Sequence, residues 1–201
     1  MSNKVLVLLS SPLPKDKSIS TYLTIKFVHD YLKQHPNDEI NYLDLNEIES
    51  ASTILKASNF SAFFENNFIS DKYINLLKNS NKLIIAAPMI NFNVPTTLKS
   101  FIDYICIANK TFSYKYSAKG ESKGLLDNLD VQIIATQGAP KDWYLFSSHK
   151  DYLEGLWKFL GANVKPTIHV TSLKTKEFSQ KSREEIYELY KSEIEKRAKE
   201  F

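Results

Sequence analysis

Three stretches of this chain run apolar, or nearly so, with no charge inside them: Val5–Leu9 (VLVLL), Leu83–Ala87 (LIIAA) and Val131–Ala135 (VQIIA). A strand with one wet face alternates apolar and polar residues. A strand that is apolar on both faces must be covered on both, which is the condition of central strands in a parallel sheet. Glu39–Leu43 (EINYL) and Thr167–Val170 (TIHV) are of mixed polarity and read as flanking strands, which makes five.

Helical patterns fill the intervals. Ser20–Gln34 repeats Leu23, Phe27 and Tyr31 at helical spacing, with Val28 and Leu32 beside them. Asp71–Asn79 and Thr96–Asn109 read as helices, the second opened by Pro95. Lys150–Leu160 is stopped by Gly161, where a left-handed residue is wanted, and Ser182–Glu185 (SREE) has capping-box spacing ahead of a closing amphipathic helix. Strand and helix in alternation imply right-handed crossovers and a doubly wound α/β sheet, order 2-1-3-4-5, with helices on both faces. Such sheets bind ligands beyond the carboxyl ends of their strands, where the strand order reverses. No repeat, low-complexity tract or Gly/Ser linker interrupts the chain, so residues 1–201 are expected to form one domain.

Composition removes several functional classes. The 26 basic and 23 acidic side chains nearly cancel and are scattered, which gives no electrostatic footprint for a nucleic-acid partner. One cysteine, Cys106, cannot close an intramolecular disulfide, and the four histidines show no metal-ligand spacing. No apolar run approaches the roughly 20 residues of a membrane span. MSNK runs directly into VLVLL, too short for a signal segment, so a cytoplasmic protein is expected.

The loops after the three apolar strands hold the candidate chemistry. Ser10–Ser20 (SSPLPKDKSIS) places Ser11, Ser18 and Ser20 around a helix start, where hydroxyls and free N–H groups suit a phosphate; the same serines also suit plain helix capping. The loop has neither GxGxxG nor GxxxxGK[ST], which speaks against a dinucleotide-binding turn and a triphosphatase loop. Pro88–Pro95 (PMINFNVP) combines a sulfur, amides and an aromatic ring between two prolines, a mixture suited to a flat heteroaromatic ring with polar edges. Thr136–Ala139 (TQGA) offers close backbone approach at Gly138 and a donor-acceptor amide at Gln137.

Taken in order, KVLVLLSS, SIS at the helix start, PMINFNVPTTLKSFIDY, TFSY at residues 111–114 and a strand ending in TQGA resemble the FMN-dependent NADH-azoreductases, also described as NADH:quinone oxidoreductases, over nearly the whole chain. The resemblance implies a flavodoxin-like fold and a bound FMN. It implies that Ser10, Ser11, Ser18, Ile19 and Ser20 hold the phosphate and ribityl chain. Pro88, Met89, Ile90, Asn91 and Phe92 would line the isoalloxazine, and Thr136, Gln137, Gly138 and Ala139 would close its polar edge. Ile90 stands where the family often has an aromatic residue, and Gln137 and Ala139 stand where its turn is more basic or glycine-rich. The implied activity is ping-pong transfer: NADH or NADPH reduces FMN and leaves, and the flavin then passes two electrons to a quinone or azo compound. The flavin carries the chemistry, so no catalytic acid, base or nucleophile and no metal is required. A homodimer is also implied. The alternatives are a flavodoxin-like electron carrier without a nicotinamide site, disfavoured by a pI near 8.7, and a cofactor-free α/β binding domain.

Other conspicuous residues read as structural. Cys106 is expected in the core, His149 in a surface turn, and Trp143, Tyr144 and Phe146 mostly in packing. Phe60, Phe63, Phe64 and Phe68 are expected in a short helix or a dimer face.

Overall fold

The computed structural model describes residues 2–65, 68–115 and 122–201. Elements follow in the order β1 (Lys4–Leu9), α1 (Ile19–Gln34), β2 (Glu39–Asp44), α2 (Glu49–Ser52), α3 (Phe60–Phe64), α4 (Phe68–Lys78), β3 (Lys82–Pro88), α5 (Thr96–Ile105), β4 (Phe112–Ser113), β5 (Lys123–Gly124), β6 (Asp130–Thr136), α6 (His149–Phe159), β7 (Asn163–Val164), β8 (Ile168–Val170) and α7 (Arg183–Glu200). The main sheet is parallel, in order β2-β1-β3-β6-β7, with β8 also on β6.

The alternation of side chains along β1, β3 and β6 divides the core into two layers. Leu6, Leu8, Leu83, Ile85, Val131 and Ile133 face α4, α5 and α6, where Tyr73, Phe101, Tyr104 and Trp157 complete one cluster. Val5, Val7, Leu9, Ile84, Ala86 and Ile134 face α1 and α7, meeting Leu23, Phe27, Ile186 and Ile194 in the other. Two apolar faces on each central strand are therefore the consequence of two helical layers. Gln132, inside one of the apolar runs, is fully buried, and its amide nitrogen donates to Ile133 O and Pro166 O.

The sheet departs from expectation in its fifth position, which is two short pieces rather than one strand. Pro166 has no N–H to give the ladder, so pairing with β6 stops after Val164 and resumes at Ile168. The helix expected over Thr96–Asn109 ends at Ile105. There the Thr111 hydroxyl donates to Ile105 O at 2.6 Å and accepts the Ile107 N–H at 3.2 Å, replacing helical bonds. Gly161 adopts φ 96 just after α6, and Ser182 and Glu185 cap α7 reciprocally, both as their spacing predicts.

Candidate functional site

The first loop leaves β1 through Ser10, which is fully buried and donates its hydroxyl to Ala86 O at 2.6 Å, tying β1 to β3. Ser11 Oγ accepts the Leu13 N–H. Pro14 O then accepts the N–H groups of Lys17 and Ser18, a tight turn that starts α1. Ser18 is the N-cap, its Oγ accepting the Thr21 N–H at 3.2 Å and standing 3.2 Å from Ser20 Oγ. The Ile19 and Ser20 N–H groups have no acceptor among the described residues, and the first turn of α1 contains no carboxylate. Free donors, hydroxyls and the positive end of a 16-residue helix together form an anion cradle.

The second loop folds back on itself. Ile90 and Asn93 exchange backbone hydrogen bonds at 2.8 and 3.1 Å, closing a turn whose two central residues have positive φ: Asn91 at 45 and Phe92 at 71. Asn tolerates that region, but a phenylalanine there stores strain of about 1–3 kcal/mol. Neighbouring contacts hold it. The Ser147 hydroxyl donates to Phe92 O, and the Phe92 ring meets Tyr144 edge-on at 4.9 Å and Phe146 at 5.3 Å. Met89 N–H donates to Thr136 O at 2.7 Å, so the second loop is anchored to the end of β6.

The third loop is braced from inside. Gln137 is buried, and its Nε2 donates to Ala139 O and Pro140 O at 3.1 and 2.9 Å. Its Oε1 lies 3.1 Å from His169 Nε2, which acts as donor in that tautomer. With those carbonyls turned inward, the Gly138 and Ala139 N–H groups find no acceptor among the described residues. The segment after β8 runs alongside: Ser172, Leu173 and Lys174 donate backbone N–H groups to Ala139, Gln137 and Gly138 carbonyls at 2.8, 3.2 and 2.8 Å.

The second and third loops enclose a cleft of about 350 Å³. The second loop contributes Met89, Asn91 and Phe92 to its lining and the third Gly138, Ala139 and Pro140, and Trp143, Tyr144, Lys174 and Thr175 complete it. Ser11, Ser18 and Ser20 are not part of its wall; they stand at the same sheet edge, on the far side of β3. Ser10, Pro88, Ile90, Thr136 and Gln137 are also absent from the lining. Lys174 and Thr175 had no sequence signal, because nothing in TSLKTKEF marks it as returning to the third loop, and Pro140 lies one residue beyond the loop as read from the sequence.

Two expectations are corrected. Trp143 and Phe146 are not core residues: they are 70% and 76% exposed, because they lie on a connection rather than on a packed face. His149 is not a surface residue. It begins α6 at 1% exposure, its Nε2 lies 3.2 Å from Ala87 O, and Nδ1 has no partner among the described residues. Burial, and then His169 nearby, push the His149 imidazole down to about 4. Cys106 is half-buried, and burial pushes its thiol up to about 11, the opposite of an activated nucleophile. Phe63 is buried, while Phe60 and Phe68 are exposed and residues 66 and 67 between them lie outside the described residues. No cluster that could hold a metal, and no helix long and apolar enough to cross a membrane, occurs among the described residues.

A family model described as a flavodoxin-like fold matches residues 3–197. The chain is 55% identical over 198 residues to a protein of Metamycoplasma arthritidis named FMN-dependent NADH:quinone oxidoreductase, an alignment covering 98% of this chain and 99% of that one. The chain belongs to this family. A Mycoplasmopsis pulmonis member with the same name is 47% identical over 198 residues, with the same coverage of both chains. Among solved structures, the azoreductase from Bacillus anthracis str. Sterne is similar over 100% of both chains, with a TM-score of 0.84 and 25% identity. The four free backbone donors in two groups, with an apolar cleft beside one of them, fit the family's flavin: an anionic tail for Ile19 and Ser20, and a polar ring edge for Gly138 and Ala139.

Proposed function

We propose that this protein is an FMN-dependent NADH:quinone oxidoreductase, passing two electrons from a reduced nicotinamide to a quinone or azo acceptor in two successive half-reactions at one cleft. The observation that carries the reading is the pair of backbone N–H groups at Gly138 and Ala139 opening onto a cleft walled by Met89 and Phe92. Bound FMN supplies the hydride chemistry, accepting from one substrate and donating to the next.

The chain's own residues position and shield. Ser18, Ile19 and Ser20 hold the phosphate through two hydroxyls and two N–H groups, with Ser11 beside them. Met89, Asn91 and Phe92 support the ring, and Gly138 and Ala139 donate to its polar edge. Ser10, Pro88, Ile90, Thr136 and Gln137 shape these loops, Ser10 through Ala86 O and Gln137 through Ala139 O and Pro140 O. Trp143 and Tyr144 in the lining offer flat apolar faces to an aromatic acceptor.

We further read residues 1–201 as one FMN-binding domain that works in the cytoplasm as a homodimer. Exposed Trp143, Leu145 and Phe146 support an interface, since a contiguous group of apolar side chains at 70–94% exposure gains from burial. Sedimentation at micromolar concentration should give twice the chain mass. The activity itself is tested by mixing FMN-loaded protein anaerobically with NADH and then with a quinone. Visible flavin absorbance should be lost and then restored; absorbance that NADH leaves unchanged would overturn the assignment.

A further inference from the structure

The cleft between the second and third loops has one formally charged residue in its wall. Lys174 is that residue, and no carboxylate joins it there. Lys174 is exposed, and its ammonium takes part in no ion pair among the described residues. Lys174 is nevertheless held. Its backbone N–H donates to Gly138 O at 2.8 Å, and Ser172, with φ 68, turns the chain so that three successive residues bond to the third loop.

The stem is seated as well. A Cβ built on Gly138 would stand 2.9 Å from both Lys174 Cγ and Cδ. The methylenes therefore occupy the space that any side chain at position 138 would take. Gly138 leaves room for the stem, which lies across it, and Lys174 contributes to the lining of the cleft that also holds Gly138 and Ala139, whose N–H groups are free among the described residues.

We propose that Lys174 sets the redox poise of this cleft, by holding an uncompensated positive charge against the ring edge that becomes negative on reduction. The proposal rests on the flavin reading above. Hydride transfer breaks a C–H bond of the nicotinamide and forms an N–H bond on the ring. Two electrons and one proton arrive together, so the nicotinamide leaves as a cation and the ring gains one negative charge. An ammonium beside the polar edge favours the reduced ring over the oxidised one. It raises the midpoint potential, which eases reduction by NADH and restricts the acceptors to those still more oxidising.

Lys174→Met keeps most of the stem and removes the charge; Lys174→Arg keeps the charge. Oxidised-FMN affinity is measured by fluorescence quenching, and midpoint potential by equilibration with reference dyes, on full-length protein. For Lys174→Met the preference for reduced over oxidised FMN is expected to fall about tenfold, which is 29.6 mV for a two-electron couple. Oxidised-FMN affinity should stay within about threefold, Lys174→Arg should match the wild type, and the difference from wild type should shrink in 1 M salt, where screening acts within about 3 Å. Equal potentials for wild type and Lys174→Met would overturn the role of Lys174 alone. Wild-type protein that binds no FMN would overturn the flavin reading on which it stands.

Discussion

Ser18 and Ser20 illustrate how two neighbouring residues of one type separate structure from binding. Ser18 caps α1 through the Thr21 N–H, whereas Ser20, already inside the helix, caps nothing. Ser18→Ala should therefore lose about 1 kcal/mol of stability together with flavin affinity, while Ser20→Ala should lose affinity only. One charge-assisted hydrogen bond contributes about 1.5–3 kcal/mol, so each substitution should weaken FMN binding roughly tenfold or more. Flavin titrations and thermal melts of the two variants check both halves; unchanged affinity in Ser20→Ala would remove the phosphate from this helix start. Phe92 is the converse case, a residue strained at φ 71 and held by Ser147, Tyr144 and Phe146. Phe92→Gly should relieve the backbone and remove the wall. Stability should change by less than about 1 kcal/mol, because strain relief offsets lost packing, while KM for the acceptor rises.

At the scale of elements, the β4–β5 ribbon is fastened to the end of α6 by the closest backbone approach at any glycine described here. A Cβ at Gly124 would lie 2.1 Å from Gly161 N and 2.2 Å from Leu160 C. Leu126 N–H donates to Leu160 O at 2.9 Å in the same junction, so neither strand can withdraw without breaking it. Gly124→Ala should cost about 3 kcal/mol or more, seen as a lowered denaturant midpoint. Gly138→Ala differs in kind, because the atoms in its way belong to a side chain, the Lys174 stem, rather than to backbone. It should cost less stability than Gly124→Ala and, by displacing the Lys174 stem, shift the flavin potential in the same direction as Lys174→Met.

For the molecule as a whole, the buried histidine under the second loop makes stability depend on pH. His149 has an ordinary value of 6.5 when unfolded and about 4 when folded, because burial and His169 disfavour its charge. Between those values the unfolded chain holds the proton and the folded chain does not, so protons favour unfolding. The loss begins as pH falls below 6.5 and is complete near 4, approaching about 3 kcal/mol, or roughly 10 °C in Tm for a chain of this size. Burial lowers His169 as well, which adds to the effect with the same sign. Melts from pH 7 to pH 4 should show this slope, and His149→Gln should flatten it.

The order of strands and helices was legible in the sequence because each central strand is buried on both faces, and burial on both faces leaves a continuous apolar run. The helix stop at Gly161 and the helix start at Ser182 were legible for a similar reason: left-handed backbone and capping geometry demand particular residues locally. The loops at Ser10–Ser20, Pro88–Pro95 and Thr136–Ala139 could be located because sheet order dictates where strands end. What their residues do there was decided by contacts between segments distant in sequence. Pro166 splits the last strand only because β6 is its partner. His149 is buried only because α6 packs its first turn against Ala87. Gln137 faces inward because His169, 32 residues on, meets its amide, and Lys174 reaches the cleft because a glycine 36 positions earlier leaves it room. Periodicity reports which face of an element is buried. It holds no record of which distant loop returns to that edge, and in this protein the returning loop carries the cleft's single charge.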